Sequence, residues 1–433
     1  MYALSRHPQG ALVSPTKYLL GALSCFLAFA AAADEPTRAL GLDEAVAIAV
    51  QTDPVAARFD ALAEGLRAES TARGQLPDPR VRFGVLNLPT DTFELDQEPM
   101  TQVLVGVQQM FPRGDALENR SRQDQALASA ERGNAEDQRR KAALAVRTNW
   151  LELYYWQRAI EVVGENEDLF AQLVDITRSL YAAGRQNQHD VVRAELELSR
   201  LADRRTQYRN QADVMRAELA KWIGPEHAAR PLADAFPDLA AAPDKAQLQV
   251  QLAQHPQLLS SEAQIQAMEA KVSQARDLYS PEWGLDLSYG WRDGTNADGS
   301  SRADFASVMV VMDVPLFTGQ RQDQELAARQ RQAGAARLAR DDRRRELLRT
   351  LDADYATWER LGERLSLFEQ AVLPQARQYA LATQQAYQND RADFPTLVRA
   401  RIDELDTRLQ TLRLRVERAK AQAQLTYLAG EQP

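Results

Sequence analysis

The sequence has a single cysteine, Cys25, and only four histidines in 433 residues. The cysteine lies inside an apolar leader, so the chain that follows it can form no disulfide and offers no thiolate. The histidines beyond the leader, His189, His227 and His255, lack the spacing of a metal site. His-Glu-x-x-His, P-loop and nucleophile-elbow patterns are also absent. We therefore predict that the chain is not an enzyme and uses no cofactor.

The leader itself, residues 1–33, has the composition of a secretory signal peptide. Arg6 and Lys17 form a positively charged segment before an apolar run at residues 18–30. Three alanines ending at Ala33 then offer a cleavage site. This pattern predicts export and cleavage after Ala33. An alternative is lipidation at Cys25, since Ala-Leu-Ser-Cys resembles a lipobox.

The chain after the leader lacks long apolar runs and has an excess of acid. Loss of two basic residues leaves 50 Lys and Arg against 61 Asp and Glu, a formal charge of −11. An exported chain of this charge is not expected to bind nucleic acid. No segment approaches the roughly 18–20 apolar residues that a membrane-spanning helix needs.

Long stretches also lack the residues that break helices. Residues 115–180 contain no proline and two glycines, and residues 185–223 contain neither. The first stretch would span roughly 100 Å as one helix, which implies a coiled coil or a tube. Gly184 is the predicted stop between the two helices, and Asp190 is the predicted cap of the second.

The second helix carries an apolar stripe with alternating steps of three and four residues, which predicts left-handed coiling against a partner helix. The stripe comprises Val191, Ala194, Leu198, Leu201, Arg205, Tyr208, Ala212, Met215, Leu219 and Trp222. The predicted partner stripe on the first helix comprises Leu169, Leu173, Ile176 and Leu180.

Four short segments alternate apolar and polar residues, as half-buried strands do. They come in two pairs, each pair enclosing a polar loop, 87–100 in the first and 293–304 in the second. The predicted strands contain residues 81–85, 103–107, 283–289 and 308–312.

The two halves of the chain repeat each other. Asp53-Pro54 matches His255-Pro256 at an offset of 202, and Tyr181 matches Tyr387 at an offset of 206. We therefore predict a signal peptide at 1–33, a first repeat at 34–223, a linker at 224–245 and a second repeat at 246–433.

The order of these elements, with Gln109-Met-Phe-Pro-Arg-Gly114 after one strand and Val314-Pro-Leu-Phe-Thr-Gly319 after another, resembles the TolC-like outer-membrane efflux channel family. The resemblance implies a mainly α fold with a small β portion. It implies a homotrimer with a 12-stranded transmembrane β-barrel, four strands from each chain, and a periplasmic α-barrel of long antiparallel coiled-coil helices. It also implies contact with outer-membrane lipid, a periplasmic adaptor protein and an inner-membrane pump of the resistance-nodulation-division type.

The resemblance further implies that the helical turns form a periplasmic tip. Tyr181, Gly184, Asp190 and Val191 match the family's tip pattern in the first repeat and are the predicted adaptor-docking residues. The second repeat departs from the pattern. Its gate candidates are Tyr387, Asp390, Asp393, Thr396 and Arg399, with Asp390 in place of the glycine and Thr396 in place of the aspartate.

The resemblance narrows the function to a passive exit duct. Pro77-Asp-Pro79 and the segment ending at Gly114 look most like the heavy-metal branch, so divalent metal cations are the predicted cargo. Drug or solvent efflux and type I protein export are alternatives within the family. A soluble periplasmic coiled-coil adaptor or scaffold is the alternative from another class, although it would not need two pairs of alternating strands.

Overall fold

The computed structural model of the chain describes residues 38–185, 187–239, 243–389 and 391–429. The predicted signal peptide, Cys25 and Asp390 lie outside the described residues. The described part of the chain is mainly helical and carries one four-stranded sheet, as the sequence predicts.

The elements follow one another in the order α1–α2–β1–β2–α3–α4–α5–α6–α7–β3–β4–α8–α9–α10. Their bounds are α1 Leu42–Thr52, α2 Pro54–Arg73, β1 Arg80–Leu86, β2 Gln102–Phe111, α3 Ala116–Ala182, α4 Gln188–Ile223, α5 Pro225–Ala228, α6 Lys245–Gln251, α7 Pro256–Asp277, β3 Glu282–Trp291, β4 Phe305–Asp313, α8 Gln322–Leu367, α9 Leu373–Gln388 and α10 Phe394–Ala429.

Helices α2 and α7 begin in the same way. The Asp53 carboxylate accepts the Val55 backbone N–H at 2.9 Å, and the His255 ring nitrogen Nδ1 accepts the Gln257 backbone N–H at 3.3 Å. Each cap is followed by a proline at the first helical position, where its missing N–H costs nothing. The two Xaa-Pro pairs that revealed the repeat are therefore helix starts.

Helix α3 runs for 67 residues without a break. Its counterpart in the second repeat begins and ends 206 residues later, but it is divided by a π-helical turn at Phe368–Val372 between α8 and α9. Pro374 follows this turn and has no N–H to donate to the preceding turn of helix, which explains the interruption. Helices α4 and α10 are both 36 residues long and are also offset by 206.

The predicted coiled coil of α3 and α4 is present, with one error in its register. Ala194, Leu201 and Leu219 of the α4 stripe are buried against α3. On α3, Leu173 is buried as predicted, whereas Ile176 is 49% exposed. The buried residues of α3 form a broader face than a strict heptad, because α3 also packs against α10.

The four strands form one antiparallel sheet in the order β1-β2-β3-β4. The register pairs Val81 with Val107 and Val107 with Leu287, and Leu287 in turn with Val308. Because side chains alternate along a strand, these four residues share one face of the sheet. This outer face is apolar and exposed; it carries Val81, Phe83, Val85, Val105, Val107, Leu287, Val308, Val310 and Met312.

Aromatic rings stand at both ends of the outer face. Phe111 and Trp283 stack with their ring centroids 4.1 Å apart at the helical end of the sheet. Tyr289 and Trp291 lie at the opposite end, beside the loops, and are about half exposed. The outer face therefore has aromatic residues at both borders of its apolar band.

The inner face of the sheet is more polar and is partly covered by its own side chains. Arg82 of β1 forms an ion pair with the buried Asp286 of β3, two strands away. Gly106 lies between them on β2, where the Arg82 side chain passes 3.7 Å from the place a Cβ would occupy. The closer neighbours of such a Cβ would be the Ser288 side chain at 3.1 Å and the Leu287 carbonyl oxygen at 3.2 Å.

The segment from Pro112 to Gly114 joins the sheet to the helices. Arg113 forms ion pairs with Glu282 at 3.5 Å and with Asp313. Gly114 has a φ of +47°, and a Cβ there would lie 2.8 Å from the Asp277 carboxylate. The motif that carried the resemblance is thus the connection that places the start of α3 against the end of α7.

Candidate functional site

The first tip is the turn between α3 and α4. Helix α3 ends in a Schellman motif, in which the Gly184 N–H donates to the Tyr181 carbonyl at 2.9 Å and the Arg185 N–H donates to the Leu180 carbonyl at 2.9 Å. Gly184 has a φ of +69°, and no atom lies within 4 Å of the position that a Cβ would occupy. The predicted helix stop is confirmed, and the surface around it is open.

Asp190 is not the cap of α4, contrary to the prediction. The helix begins at Gln188 with Asn187 as its N-cap, so Asp190 lies in the first turn and is 4% exposed. Its carboxylate lies 3.2 Å from Nε2 of His189. The Asp190 side chain lies near the positive end of the helix dipole, and among the described residues no capping hydrogen bond is present at this helix start.

The two other predicted docking residues differ in exposure. Tyr181 is 48% exposed on the last turn of α3, and Val191 is half-buried. Val192, which the prediction did not include, is 55% exposed. The first tip therefore presents an aromatic ring and an aliphatic side chain on either side of an open glycine.

The second tip is the turn between α9 and α10. Asp393 accepts the Thr396 backbone N–H at 3.0 Å, as an N-cap does. The hydrogen bonds from Thr396 and the nearby positive charge of Arg399 lower the pKa of the Asp393 carboxyl. Asp393 is therefore ionised at neutral pH, and Arg399 is exposed beside it.

Tyr387 is a packing residue in the described chain. It is 8% exposed, and its ring centroid lies 5.9 Å from that of Phe394. Phe394 is 1% exposed and was not identified from the sequence. Its spacing from Leu397 and Val398, three and four residues further on, was the available signal.

The two tips belong to one packed end of the molecule. Tyr387, Phe394 and Leu397 share a core cluster with Leu173 and Ala194 of the first hairpin. Ion pairs also join the two halves along the helices: Arg204 contacts Asp406 at 2.7 Å, and Arg408 contacts Glu165 at 2.7 Å.

Two other kinds of site are missing from the described ranges. None of the described helices combines the length and apolarity needed to cross a bilayer. No three described His, Cys, Asp or Glu side chains are grouped so that they could hold a metal ion.

Known proteins support the interpretation given by the fold. Residues 248–431 match the family described as "Outer membrane efflux protein". No curated protein sequence matches the chain.

Solved structures of outer-membrane channels share the fold over nearly the whole chain. OprN superposes with a TM-score of 0.74 at 18% identity, covering 92% of both chains. VceC of Vibrio cholerae superposes with a TM-score of 0.75 at 16% identity, covering 90% of this chain and 96% of its own. CusC gives 0.73 at 13%, covering 90% and 91%. Residues 248–431 thus match the outer membrane efflux protein family, and the chain has the fold of solved outer-membrane channels over about nine-tenths of its length.

Proposed function

We propose that three copies of this chain assemble into the exit duct of a tripartite efflux system. The observation that carries the proposal is the four-stranded sheet, which has one apolar exposed face and two open edges, β1 and β4. Unpaired strand edges cannot face lipid, and single-chain barrels need at least about eight strands. Pairing β4 of one copy with β1 of the next gives 12 strands in three copies and leaves no open edge.

The trimer is tested by extraction and mass. We expect the protein to require detergent for extraction and to give a mass of three chains in native mass spectrometry. A water-soluble monomer released by osmotic shock would contradict the duct and favour the soluble periplasmic adaptor instead.

The long helices would extend the duct into the periplasm, where a separate pump supplies the energy. The tip residues Tyr181, Gly184, Asp190 and Val191 are proposed to dock a periplasmic adaptor, which connects the duct to a pump of the resistance-nodulation-division type. Open space at Gly184 and the exposed ring of Tyr181 support this role, since docking needs an accessible surface. Asp190 is buried and Val191 is half-buried, so they would support the turn more than they would contact the adaptor.

The second tip is proposed to form the periplasmic gate. Asp393 and Arg399 are exposed charges of opposite sign at this turn. Thr396 is half-buried and Tyr387 is packed, so they would support the turn more than they would face a pore. Asp390 lies outside the described residues, so its proposed part in the gate rests on the sequence alone.

Divalent metal cations remain the proposed cargo from the family resemblance. The support is the acidic net charge, since a negative conduit raises the local concentration of cations. The ions would be selected by the pump, not by this chain. Drug or solvent efflux and protein export are the competing cargo classes.

A deletion strain separates the cargo classes. We expect increased sensitivity to one or more of the zinc, cobalt, copper and nickel salts, and recovery when the gene is restored. Sensitivity to dyes and detergents with unchanged metal tolerance would contradict the metal proposal and favour organic solutes.

A further inference from the structure

The inner face of the sheet carries glycines where the outer face carries large apolar residues. Side chains alternate along a strand, so the register places Gly106, Gly284 and Gly290 on the face opposite the apolar band. All three glycines are buried. Because a glycine has no side chain of its own, other side chains must cover these positions.

Two of the glycines, both on β3, are covered by long side chains of β2. The Sδ atom of Met110 lies 2.7 Å from the position that a Cβ of Gly284 would occupy. The side-chain oxygen of Gln102 is the nearest atom to the corresponding position at Gly290. Both side chains therefore lie along the sheet, where they would otherwise project away from it.

At Gly106 one of the covering side chains is charged. Arg82 of β1 crosses β2 at this point and forms an ion pair with Asp286 of β3. Its Nη2 atom lies 3.7 Å from the Cβ position of Gly106, which places the guanidinium group against the inner face of β2. Arg82 thus lies along the sheet in the same way as Gln102 and Met110.

The ion pair runs diagonally across the sheet. In the register, Asp286 is level with Gln108 and Arg80, whereas Arg82 is level with Gly106. Arg80 also belongs to the inner face, but it has no ion-pair partner among the described residues. The route from Arg82 crosses a glycine and the route from Arg80 crosses a glutamine, which favours Arg82 as the partner of Asp286.

The two members of the pair differ in exposure. The side chain of Asp286 is 6% exposed, and that of Arg82 is 48% exposed. The guanidinium group therefore covers the carboxylate on the inner side of the sheet. Opposite charges in contact cancel most of each other's field at a distance, so the pair presents far less charge to its surroundings than either group would alone.

We propose that Asp286 holds Arg82 against the wall of the barrel, and that this ion pair is a determinant of ion selectivity in the bore. The proposal rests on the proposed function in one respect, that the inner face of the sheet lines the duct. Three copies place three such pairs at one level of the bore. Each pair withholds from the bore one positive charge, which would favour anions, and one negative charge, which would favour cations.

Removing one member of the pair is expected to shift selectivity in a direction set by the charge that remains. Asp286→Asn leaves Arg82 without its counter-charge, and we expect the cation-to-anion permeability ratio to fall by about threefold. Arg82→Gln uncovers the Asp286 carboxylate, and we expect the same ratio to rise by about threefold.

The permeability ratio is measured from the reversal potential of the full-length protein in planar lipid bilayers under a potassium chloride gradient. The salt concentration is kept low, because salt screens exposed charges. The matched control is the double variant, Arg82→Gln with Asp286→Asn, which removes both charges and should return the ratio to the wild-type value. Arg80 keeps its charge in every variant, so the measured quantity is the shift from the wild type.

Unchanged ratios in the single variants, or shifts in the same direction, would overturn the proposal. A double variant that departs from the wild type as far as a single variant would also overturn it, because charge pairing would then not be the cause. Arg82→Lys keeps the charge and should stay close to the wild type. Each single variant tests the proposal by itself, so the other remains if one fails to assemble in native mass spectrometry.

A failure of the proposed function would give a different result. If the wild-type protein opened no channels in the bilayer, the duct itself would be wrong, and the role of the pair in selectivity with it. If the wild type conducted ions and the variants left its permeability ratio unchanged, the duct would stand and only the role of Arg82 and Asp286 would be wrong.

Discussion

Replacing Gly184 with valine is expected to abolish efflux while leaving the assembled protein intact. Gly184 has a φ of +69°, a conformation in which a β-branched residue is strained by about 1–3 kcal/mol. The added Cβ would meet no neighbour within 4 Å, so we expect the fold to tolerate the substitution. Its effect would instead fall on the open surface that we propose as the docking site.

The measurement is complementation of a deletion strain, together with native mass spectrometry of the purified variant. Gly299→Val is the matched control. Gly299 also has a positive φ, +81°, and open space around it, but it lies in the loop between β3 and β4. We expect the control to support normal efflux. Normal efflux in the Gly184 variant would reduce this glycine to a turn residue with no part in docking.

Acid is expected to destabilise the junction of the two repeats through His255. This histidine is fully buried at the start of α7, and its Nδ1 atom is the acceptor of the helix cap. Its Nε2 atom is buried and has no hydrogen-bond partner among the described residues. The ring lies edge-on to Tyr427 of α10, with centroids 5.1 Å apart.

The groups around His255 determine its charge state. Burial lowers its pKa from 6.5 to about 4; the negative charge of Asp137 partly offsets this, and Arg140 and Lys141 reinforce it. Tyr427 donates a hydrogen bond to Asp137 at 2.8 Å, so much of that carboxylate is already engaged. As the pH falls, the unfolded chain takes up the proton on this histidine at a higher pH than the folded chain does. The stability that the fold gains from neutral His255 is therefore complete above about pH 6.5 and is lost as the pH falls towards about 4.

A pKa lowered from 6.5 to about 4 corresponds to about 3 kcal/mol per chain between pH 7 and pH 4. We expect the denaturation midpoint of the wild type to fall over this range more steeply than that of His255→Gln, because glutamine cannot take up the proton. His227→Gln, at an exposed position, is the control and should keep the wild-type slope. Identical pH dependence in all three proteins would show that His255 does not govern acid stability.

Much of the fold follows from local patterns along the chain. The absence of proline and the scarcity of glycine predicted the continuous α3, and Gly184 predicted its end, because few other residues adopt a left-handed conformation without strain. Alternation predicted the four strands, because the side chains of a half-buried strand must alternate between apolar and polar. Asp190 was misassigned because either Asn187 or Asp190 could cap α4 by residue type alone.

The candidate tips could be predicted in position but not in detail. The repeat offset identified both turns, since it requires only matching residues at a fixed distance. It could not show that Phe394 is buried against Tyr387, or that Ile176 is exposed. Those outcomes depend on which faces of α3, α9 and α10 meet, and several faces of these helices carry enough apolar residues to pack.

The helix lengths, the strands, the duplication and the family resemblance could all be read from the amino-acid sequence, because each depends on residue type and spacing along the chain. Which charges are free could be known only once the chain was folded. Arg113 reaches Asp313, 200 residues away, and Arg82 reaches Asp286, 204 residues away. Net charge is a sum that ignores such pairing, so it could not show which arginines are already engaged by a carboxylate. The physical reason is that an ion pair cancels the field locally, and its partners are brought together only by the fold.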